Sequence, residues 1–557
     1  MKYLIAPALA ALLVGCSQPE PKQDTPAKPN ILLIVADDLG FSDIGPYGGN
    51  IQTPVLDKLS QESVRFTNFH VLPTCSPTRS ALLTGNDNHV AGLGIMSEMD
   101  YPALHNQQLP GYSGALSQQV VTIPEILREN GYHTYMVGKW HLGEKAGQNP
   151  FERGFEETFI LGTGGGSHWD DKKALAPPQH MDYTRNNVEI DPPGEFYSSK
   201  DYTDSLLHFI DMHKADQKPF FAFLAYTAVH DPLHAPKAYI EKYKGKFDQG
   251  WDSLWAERFN NLKKLGIVPT ETKGFKVPAI PAWNKLSKEQ QQAAARDMEV
   301  YAAMLDYMDM SIGRVFEYLK ANGMYDNTMI VFMSDNGANG AVAATYPGNE
   351  DGKYLSTFDN SLDNRGLKGS YPASGPGWAQ ASSAPFRYFK TFASEGGIRA
   401  PLMVKMPVQT PGAGKWNKSL VHVTDLMPTI LELTGATYPA EYKGNKIHPM
   451  IGLSMMPILQ GKAETVRQQE GIGYELFEMK AYIRGHWKVL RLPVPMGTGK
   501  WELFDLSKDP GETTDLSAQF PDTLNQLVSA WQVYARENEV YDHKGHYDTV
   551  YRNSYSK

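Results

Sequence analysis

Cysteine is almost absent from this chain. Among 557 residues there are two, Cys16 and Cys75. Cys16 closes an apolar leader typical of export, and if its thiol is modified there, no intramolecular disulfide can form. Cys75 is then the only free thiol, in a protein bound for a compartment where free thiols are at risk.

Charge of one sign is not concentrated anywhere in the sequence. The formal net charge is −9, and there is no basic or acidic block. Nothing points to nucleic acid as a partner, and none is expected. We find no internal repeat. An anionic substrate would need a locally positive pocket in this mildly acidic protein.

The first apolar run is too short to span a bilayer as a stable helix. It covers residues 3–14 behind the positive charge of Lys2, which predicts a signal peptide over residues 1–15. Residues 13–16, Leu-Val-Gly-Cys, resemble a bacterial lipobox and imply lipid on Cys16. Such lipid would anchor the protein to a membrane. The serine after Cys16 favours the outer membrane over the inner membrane. Simple secretion with cleavage elsewhere is the alternative.

Length and composition indicate a globular protein of more than one domain. Hydrophobic residues make up 41% of the chain, enough for a large core. Residues 16–29 are polar and contain prolines, which predicts a flexible tether. We expect a main domain over residues 30–465 and a smaller C-terminal subdomain over residues 466–557.

Apolar runs of strand length alternate with helical patterns along the main domain. Strands are predicted at residues 31–36, 64–69, 133–137, 220–227, 328–333 and 402–406, and helices at 53–63, 122–130, 289–322 and 424–433. This alternation predicts an α/β fold with a mostly parallel central sheet flanked by helices. From about residue 471, short strands at 482–491 and 501–506 and a helix at 521–537 predict an α+β subdomain with a short antiparallel sheet.

Polar, chemically capable residues follow four of the predicted strands. They are Asp37 and Asp38, Lys139 and His141, His230, and Asp335 and Asn336. In a parallel sheet these strand ends lie along one edge, which is where ligands bind. Helix caps and surface charges that are scattered along a chain would not be expected at the same end of each strand.

The acidic and amide residues of this set are candidate metal ligands. Asp37, Asp38, Asp335 and Asn336 offer oxygen atoms only, which favours Ca²⁺ or Mg²⁺ over zinc. Singly, each has an ordinary alternative, because Asp and Asn are common in turns and helix caps. Together with the strand-end pattern, ligation is the favoured interpretation.

Residues 74–85, Thr-Cys-Ser-Pro-Thr-Arg-Ser-Ala-Leu-Leu-Thr-Gly, predict a loop that runs into a helix. Pro77 suits the first turn and Gly85 the end of the helix. Cys75 therefore lies at or just before a helix N-terminus, which favours an anion, and Arg79 is one turn away. The ordinary alternative is a small buried cysteine beside a helix cap.

The Cys-x-Pro-x-Arg motif followed by Leu-Leu-Thr-Gly resembles the signature of the type I sulfatases, especially bacterial arylsulfatases. The resemblance extends from Asn30 to about Leu516 and implies an alkaline-phosphatase-like fold with residues 30–465 as the catalytic domain. It also implies conversion of Cys75 to formylglycine (3-oxoalanine), whose hydrate is the nucleophile, by a maturation enzyme. It matches the four oxygen ligands, with the modified Cys75, to the family's metal site, usually Ca²⁺.

Further residues match the family's catalytic pattern. Lys139 and His141 stand in Gly-Lys-Trp-His, His230 in His-Asp-Pro, and Lys390 five residues before Glu395-Gly-Gly-Ile. The resemblance implies that Lys139 and Lys390 balance sulfate charge, Arg79 holds the nucleophile, His230 assists the leaving group, and His141 takes a proton from the hydrate. Without the family, a core histidine and a solvated lysine are the simpler interpretations.

Two long irregular segments, residues 162–199 and 341–384, are expected to be functional loops or solvent-exposed insertions. The second carries four aromatic residues predicted to line a substrate pocket: Tyr354, Phe358, Tyr371 and Trp378. His168 and His234 have less certain roles, and for His168 a plain loop histidine is favoured over a pocket residue.

The resemblance implies hydrolysis of small sulfate esters, with aryl or alkyl esters favoured and sulfated sugars open. A hydrolase of phosphonates or phosphate diesters remains an alternative, because some such relatives carry the same cysteine motif. A catalytically inactive, sulfate-ligand-binding lipoprotein with unmodified Cys75 is the other alternative.

Overall fold

The computed structural model describes residues 28–98 and 109–541. The predicted signal peptide and nearly all of the predicted tether lie outside the described residues. The strands are β1 (Asn30–Ala36), β2 (Val64–Phe66), β3 (Phe69–His70), β4 (His133–Lys139), β5 (Glu157–Leu161), β6 (Tyr183–Arg185), β7 (Val188–Ile190), β8 (Phe220–Ala225), β9 (Thr328–Ser334), β10 (Leu402–Lys405), β11 (Trp416–Asn417), β12 (Val421–His422), β13 (Glu441–Tyr442), β14 (Asn445–Lys446), β15 (Ile472–Leu476), β16 (Met479–Arg484), β17 (Trp487–Arg491) and β18 (Glu502–Asp505).

The helices lie between these strands. They are α1 (Pro54–Glu62), α2 (Cys75–Thr84), α3 (Ile123–Glu129), α4 (Ser198–His213), α5 (Lys237–Lys242), α6 (Gly250–Lys264), α7 (Lys288–Ala321), α8 (Gly375–Ser382), α9 (Glu395–Ile398), α10 (Leu426–Thr434), α11 (Met456–Leu459) and α12 (Pro521–Glu537). Capping boxes begin two of these α-helices, at Thr122 with Glu125, as the sequence predicts, and at Ser287 with Gln290.

Ten strands form the central sheet in the order β11-β2-β10-β9-β1-β8-β4-β5-β6-β7. From β9 to β5 all neighbouring strands are parallel, which confirms the predicted α/β class. The β10 strand is antiparallel to both of its neighbours. The β6–β7 hairpin extends the other edge, so segment 162–199 is less irregular than expected.

The central strand β1 is buried on both faces because its side chains are apolar at every position from 31 to 36. Ile31, Leu33 and Val35 point into one core, which is also filled from α2, α3 and α10. Leu32 and Ile34 point into the opposite core, with α1, α4, α6 and α7. The period of two along a strand thus places helices on both faces of the sheet.

The C-terminal subdomain is built from β15–β18, an antiparallel sheet of four strands, with α12 against it. Val489, Leu503 and Leu527 form a small cluster of their own in this subdomain, but other side chains of its sheet join the main core. Tyr474, Met479 and Ile483 belong to the same cluster as the buried residues of β1. Of the helices in the described ranges, none is long and apolar enough to cross a membrane.

Candidate active site

The four predicted strand ends meet at one edge of the sheet because β9, β1, β8 and β4 are neighbours. Asp37 follows β1, Lys139 ends β4, His230 follows β8 and Asp335 follows β9. Each of these side chains is buried. The structure therefore brings together the residues that the strand-end argument singled out.

Helix α2 carries Cys75 to the same edge. The helix begins at Cys75, two residues earlier than Pro77 alone indicates, and ends at Gly85 in a left-handed conformation. Within the helix, the Thr78 hydroxyl is hydrogen-bonded to the backbone N–H and C=O of Leu72. These bonds fix the loop that precedes the helix. All ten residues of α2 are buried, so Cys75 has a rigid support.

Arg79 faces carboxylates across the site. Its Nε and Nη2 donate to Oδ2 of Asp335 at 3.0 and 2.7 Å, and its Nη1 donates to the carbonyl of Lys139 at 2.8 Å. Burial alone would lower the pKa of Arg79, but Asp335 and Asp37 outweigh it and raise that pKa. Arg79 is therefore a fixed positive charge beside Cys75.

Two lysines hold the aspartate pair. Lys139 Nζ is 2.7 Å from Asp37 Oδ2, and Lys390 Nζ is 2.7 Å from Asp38 Oδ1. Burial works to raise the pKa of each carboxyl, yet the facing lysine and His230 bring both pKa values below the usual range. Both aspartates are consequently ionised, as metal ligation requires.

Two buried oxygen atoms lack a hydrogen-bond partner at this edge. They are Oδ1 of Asp37 and Oδ1 of Asn336, whose Nδ2 donates to Asp38. Ligand atoms of Asp37, Asp38, Cys75 and His230 lie within 4.8 Å of one another. An unpaired buried oxygen is costly unless a cation satisfies it. With three carboxylates and one amide supplying the oxygens, the residues present fit a hard divalent cation.

The thiol of Cys75 is buried between these charges. Burial raises its pKa to about 12 against the opposing effect of Lys139 and Lys390. An unmodified Cys75 is therefore protonated at neutral pH, and a protonated thiol is a poor nucleophile.

The two candidate catalytic histidines are oriented by different partners. His141 Nε2 is 2.5 Å from Oε2 of Glu98, while its Nδ1 is buried without a hydrogen-bond partner. His230 Nδ1 donates to the carbonyl of Asp231 at 2.6 Å, which leaves Nε2 facing Asp38 at 3.5 Å. Burial lowers the pKa of both imidazoles, so neutral rings are favoured at the site.

Comparison with known proteins identifies the family of the chain. The sulfatase family model matches residues 29–436, most of the chain. The chain belongs to the sulfatase family. A second model, the C-terminal region of N-sulphoglucosamine sulphohydrolase, matches residues 385–531. The family and its relatives identify the chain as a sulfuric ester hydrolase.

Individual relatives cover nearly all of this sulfatase. An uncharacterised sulfatase of Schizosaccharomyces pombe is 40% identical over 93% of this chain and 95% of its own length. The arylsulfatase of Klebsiella aerogenes is 38% identical over 84% of this chain and 99% of its own. Among solved structures, Ps i-CgsB is 25% identical, with a TM-score of 0.65 and coverage of 92% of this chain and 93% of that one.

Sequence reasoning missed two contributions to the sulfatase site. Glu98 lies in a loop with no recognisable motif, so nothing predicted its contact with His141. Gly164 is the first of three consecutive glycines to which the sequence analysis assigns no role, yet a Cβ added there would lie 2.9 Å from the His141 ring. A Cβ added at the next residue, Gly165, would lie 3.1 Å from the ring of His230.

Some residues predicted near the substrate have structural roles instead. Trp378 is fully buried, with its ring against Trp251 and Trp283, so its assignment to the pocket is wrong. His168 donates from Nε2 to the carbonyl of His230, and His234 donates to the carbonyl of Ser370. Both histidines therefore have hydrogen-bond partners within the fold. For His168 this agrees with the favoured interpretation, a plain loop histidine.

Proposed function

We propose that this sulfatase hydrolyses aryl or alkyl sulfate monoesters with a formylglycine made from Cys75 and a divalent cation, Ca²⁺ or alternatively Mg²⁺. The observation that carries the proposal is the position of Cys75. It opens a buried helix N-terminus among two aspartates, two lysines and Arg79, where an unmodified thiol is protonated.

The cation would be held by Asp37, Asp38, Asp335 and Asn336, with residue 75 completing the shell. The two unpaired oxygens described above support this assignment. A cation bound there supplies positive charge for the sulfuryl oxygens. Because the oxygens come from two pairs of adjacent residues that directly follow β1 and β9, its binding would also stabilise this edge of the sheet.

The basic residues suit a sulfate monoester. Lys139 and Lys390 are fully ionised, because Asp37 and Asp38 raise their pKa values despite burial. With Arg79 they place three positive charges around residue 75. Charge that develops on the sulfuryl oxygens and the leaving oxygen is stabilised best by such preorganised groups in a buried site.

The two histidines are assigned to proton transfer. In a formylglycine hydrate at residue 75, one hydroxyl would attack the sulfur and release the alcohol or phenol. Deprotonation of the second hydroxyl would then break the bond between the carbon and the sulfate oxygen, so that sulfate leaves and the aldehyde is restored. His141 holds Nε2 against Glu98, so its Nδ1 is the atom that accepts a proton. His230 keeps Nδ1–H on the Asp231 carbonyl, so Nε2 is the atom that exchanges a proton with the leaving oxygen, and it donates only when the ring is protonated. The ammonium group of Lys390 is a second donor at the site.

The leaving-group side of the site is aromatic. The hydroxyl of Tyr346 is 3.3 Å from Asp231, next to His230. Its ring is followed by those of Tyr371 and Phe358, with centroid separations of 6.4 and 5.2 Å. Tyr371 is buried, but Tyr346 and Phe358 are partly exposed, and stacking on these two rings would favour an aryl or apolar leaving group. The similarity to the arylsulfatase of Klebsiella aerogenes supports the same class.

The mass of the tryptic peptide that contains Cys75 tests the proposal. In protein from a host able to modify it, we expect a loss of roughly 18 Da and loss of thiol alkylation. Cys75→Ala should abolish hydrolysis of 4-nitrophenyl sulfate, while Cys16→Ser should leave the peptide shifted. An alkylatable Cys75 in the native host would contradict the formylglycine mechanism and favour the inactive binding protein.

A substrate panel separates the remaining alternatives. Aryl, alkyl and sugar sulfates, a phosphonate monoester and a phosphate diester would be compared by kcat/KM on the metal-loaded enzyme. Higher kcat/KM for aryl or alkyl sulfates supports the proposal. Preference for the phosphonate or the diester would assign the enzyme to the alternative reaction.

We also propose that the enzyme is an exported lipoprotein, held on a membrane through lipid on Cys16. The support is the apolar leader and the lipobox-like residues 13–16. Labelled fatty acid should be incorporated into the native protein in its host. The Cys16→Ser variant should carry no label and should be released from the membrane fraction. A labelled Cys16→Ser variant would contradict the anchor.

A further inference from the structure

A second cluster of metal-ligating side chains lies at the opposite end of β4 from the active site. His133 begins this seven-residue strand and Lys139 ends it. A strand of that length spans roughly 20 Å. His213 ends α4, and Asp216 lies in the turn that follows it. The cluster is therefore separate from the site described above.

The ligand atoms of His133, His213 and Asp216 lie within 4.8 Å of one another. Nε2 of His133 is 3.3 Å from Oδ2 of Asp216, and Nε2 of His213 is 3.5 Å from Oε1 of Glu157. Both Nε2 atoms are buried and have no hydrogen-bond partner. The side chain of His133 is only 7% exposed, so water does not readily replace the missing partner.

A further carboxylate orients His133. Its Nδ1 is 2.7 Å from Oε2 of Glu156. When Nδ1 carries the proton of that hydrogen bond, Nε2 presents its lone pair to the cluster. This carboxylate–histidine arrangement is the one that metal-binding histidines usually have on the side away from the metal.

The carboxylates around the cluster favour a bound cation. Three carboxylates, Glu156, Glu157 and Asp216, surround two imidazoles whose rings are stacked at 4.4 Å. Protonating both rings would place two positive charges face to face. A divalent ion satisfies the same carboxylates while both rings stay neutral, and Asp216, with a half-exposed side chain, leaves a route from solvent.

We propose that His133, His213 and Asp216 form a second metal site, for a borderline transition cation such as Zn²⁺, with Glu157 beside the ligands and Glu156 orienting His133. Two nitrogens and one carboxylate oxygen are the donors that suit Zn²⁺, Ni²⁺ or Cu²⁺ and not Ca²⁺. The ion joins the end of α4 to the beginning of β4 and so acts as a structural clamp.

Calorimetric titration with Zn²⁺ tests this site on the full-length enzyme after its oxygen site has been saturated with Ca²⁺. We expect one equivalent of Zn²⁺ to bind and to raise Tm. His213→Ala should lose that equivalent, and Glu156→Gln should weaken it by roughly 10-fold to 100-fold. His208→Ala, at an exposed histidine of the same helix, should bind Zn²⁺ like the wild type.

Hydrolysis of the sulfate ester at saturating Ca²⁺ should be unchanged in His213→Ala, because the cluster is remote from the active site. Cu²⁺ bound to the wild type should show hyperfine coupling to imidazole nitrogen in its electron paramagnetic resonance spectrum, and His213→Ala should lose one nitrogen. If His213→Ala does not fold, Asp216→Asn takes its place. Equal Zn²⁺ binding by wild type and variant, or no binding by either, would overturn the proposal and leave His133 with its contacts to Glu156 and Asp216 alone.

Discussion

Glu98 and His141 form the closest contact around the catalytic histidines, with Oε2 and Nε2 2.5 Å apart. The imidazole lowers the pKa of Glu98 to about 2 although burial works in the opposite direction, so the carboxylate is ionised. Burial lowers the pKa of His141, and Glu98 partly restores it. Glu98 thus positions His141 and strengthens it as a base.

Glu98→Gln should reduce kcat by roughly 10-fold, a part of the 10²–10⁴ that a general base contributes, with little change in KM. Loss of the charge lowers the pKa of His141 further, so the acidic limb of the kcat profile should move to lower pH. Steady-state kinetics across pH measures both effects. Glu144→Gln, at an exposed carboxylate nearby, is the control. An unchanged profile in Glu98→Gln would show that the contact has no role in the reaction.

Gly164→Ala should impair catalysis without destabilising the fold. A Cβ at residue 164 would lie 2.9 Å from Cε1 and Nε2 of His141, so the ring must leave its present position, in which Nε2 contacts Glu98. We expect kcat to fall and Tm to change little. Gly162→Ala is the matched control, because its Cβ would meet nothing closer than 3.4 Å. Equal kcat values for the two variants would contradict this reading of the glycine run.

The sequence predicts those site residues that directly follow a buried strand and have polar, reactive side chains. Apolar runs such as residues 31–36 require burial on both faces, which forces a parallel sheet and brings the strand ends together. That reasoning places Asp37, His230 and Asp335 at one edge without a structure. It gives no account of Glu98, because the loop holding it has no periodicity and reaches His141 only through the tertiary fold.

Errors in the prediction have the same origin. Trp378 stands in a stretch rich in glycine and serine, which predicts a loop, but the stretch forms α8 and inserts the ring between two other tryptophans. The hairpin at 183–190 pairs with β5 through backbone contacts that no local pattern reveals. Tertiary packing overrides local propensity at both places.

Lys488→Met should destabilise the enzyme strongly. Lys488 is fully buried on β17, and its Nζ is 2.9 Å from Glu395 and 2.8 Å from Glu512. Removing one partner of a buried ion pair costs about 3–5 kcal/mol, because the remaining charges are left uncompensated. Chemical denaturation measures the loss. Lys508→Met, at an exposed lysine of the same subdomain, should cost less than about 1 kcal/mol.

Activity should fall in Lys488→Met as well, even under conditions where the variant is folded. Glu395 lies five residues after Lys390, and its backbone N–H donates to Glu512. The C-terminal sheet therefore supports the loop that carries Lys390 into the site. A folded Lys488→Met variant with wild-type kcat/KM would show that this support is dispensable.

His89 should make stability depend on alkaline pH. Its Nδ1 is 2.7 Å from Asp87 and its Nε2 3.2 Å from Glu475 on β15, while Tyr534 on α12 donates to Asp87. Burial alone would lower the pKa of His89, but the two carboxylates raise it to about 9. Protonated His89 therefore joins the segment after α2 to the C-terminal subdomain.

Because the folded-state pKa lies above the unfolded value of about 6.5, this contribution is complete below pH 6.5 and is lost as pH rises through 9. At 1.36 kcal/mol per pKa unit it amounts to roughly 3 kcal/mol. The free energy of unfolding of the wild type should fall between pH 6.5 and 9, and His89→Gln should remove most of that slope. His208→Gln, at an exposed histidine, should keep the wild-type slope. A slope in His89→Gln as steep as in the wild type would mean that another group titrates in this range.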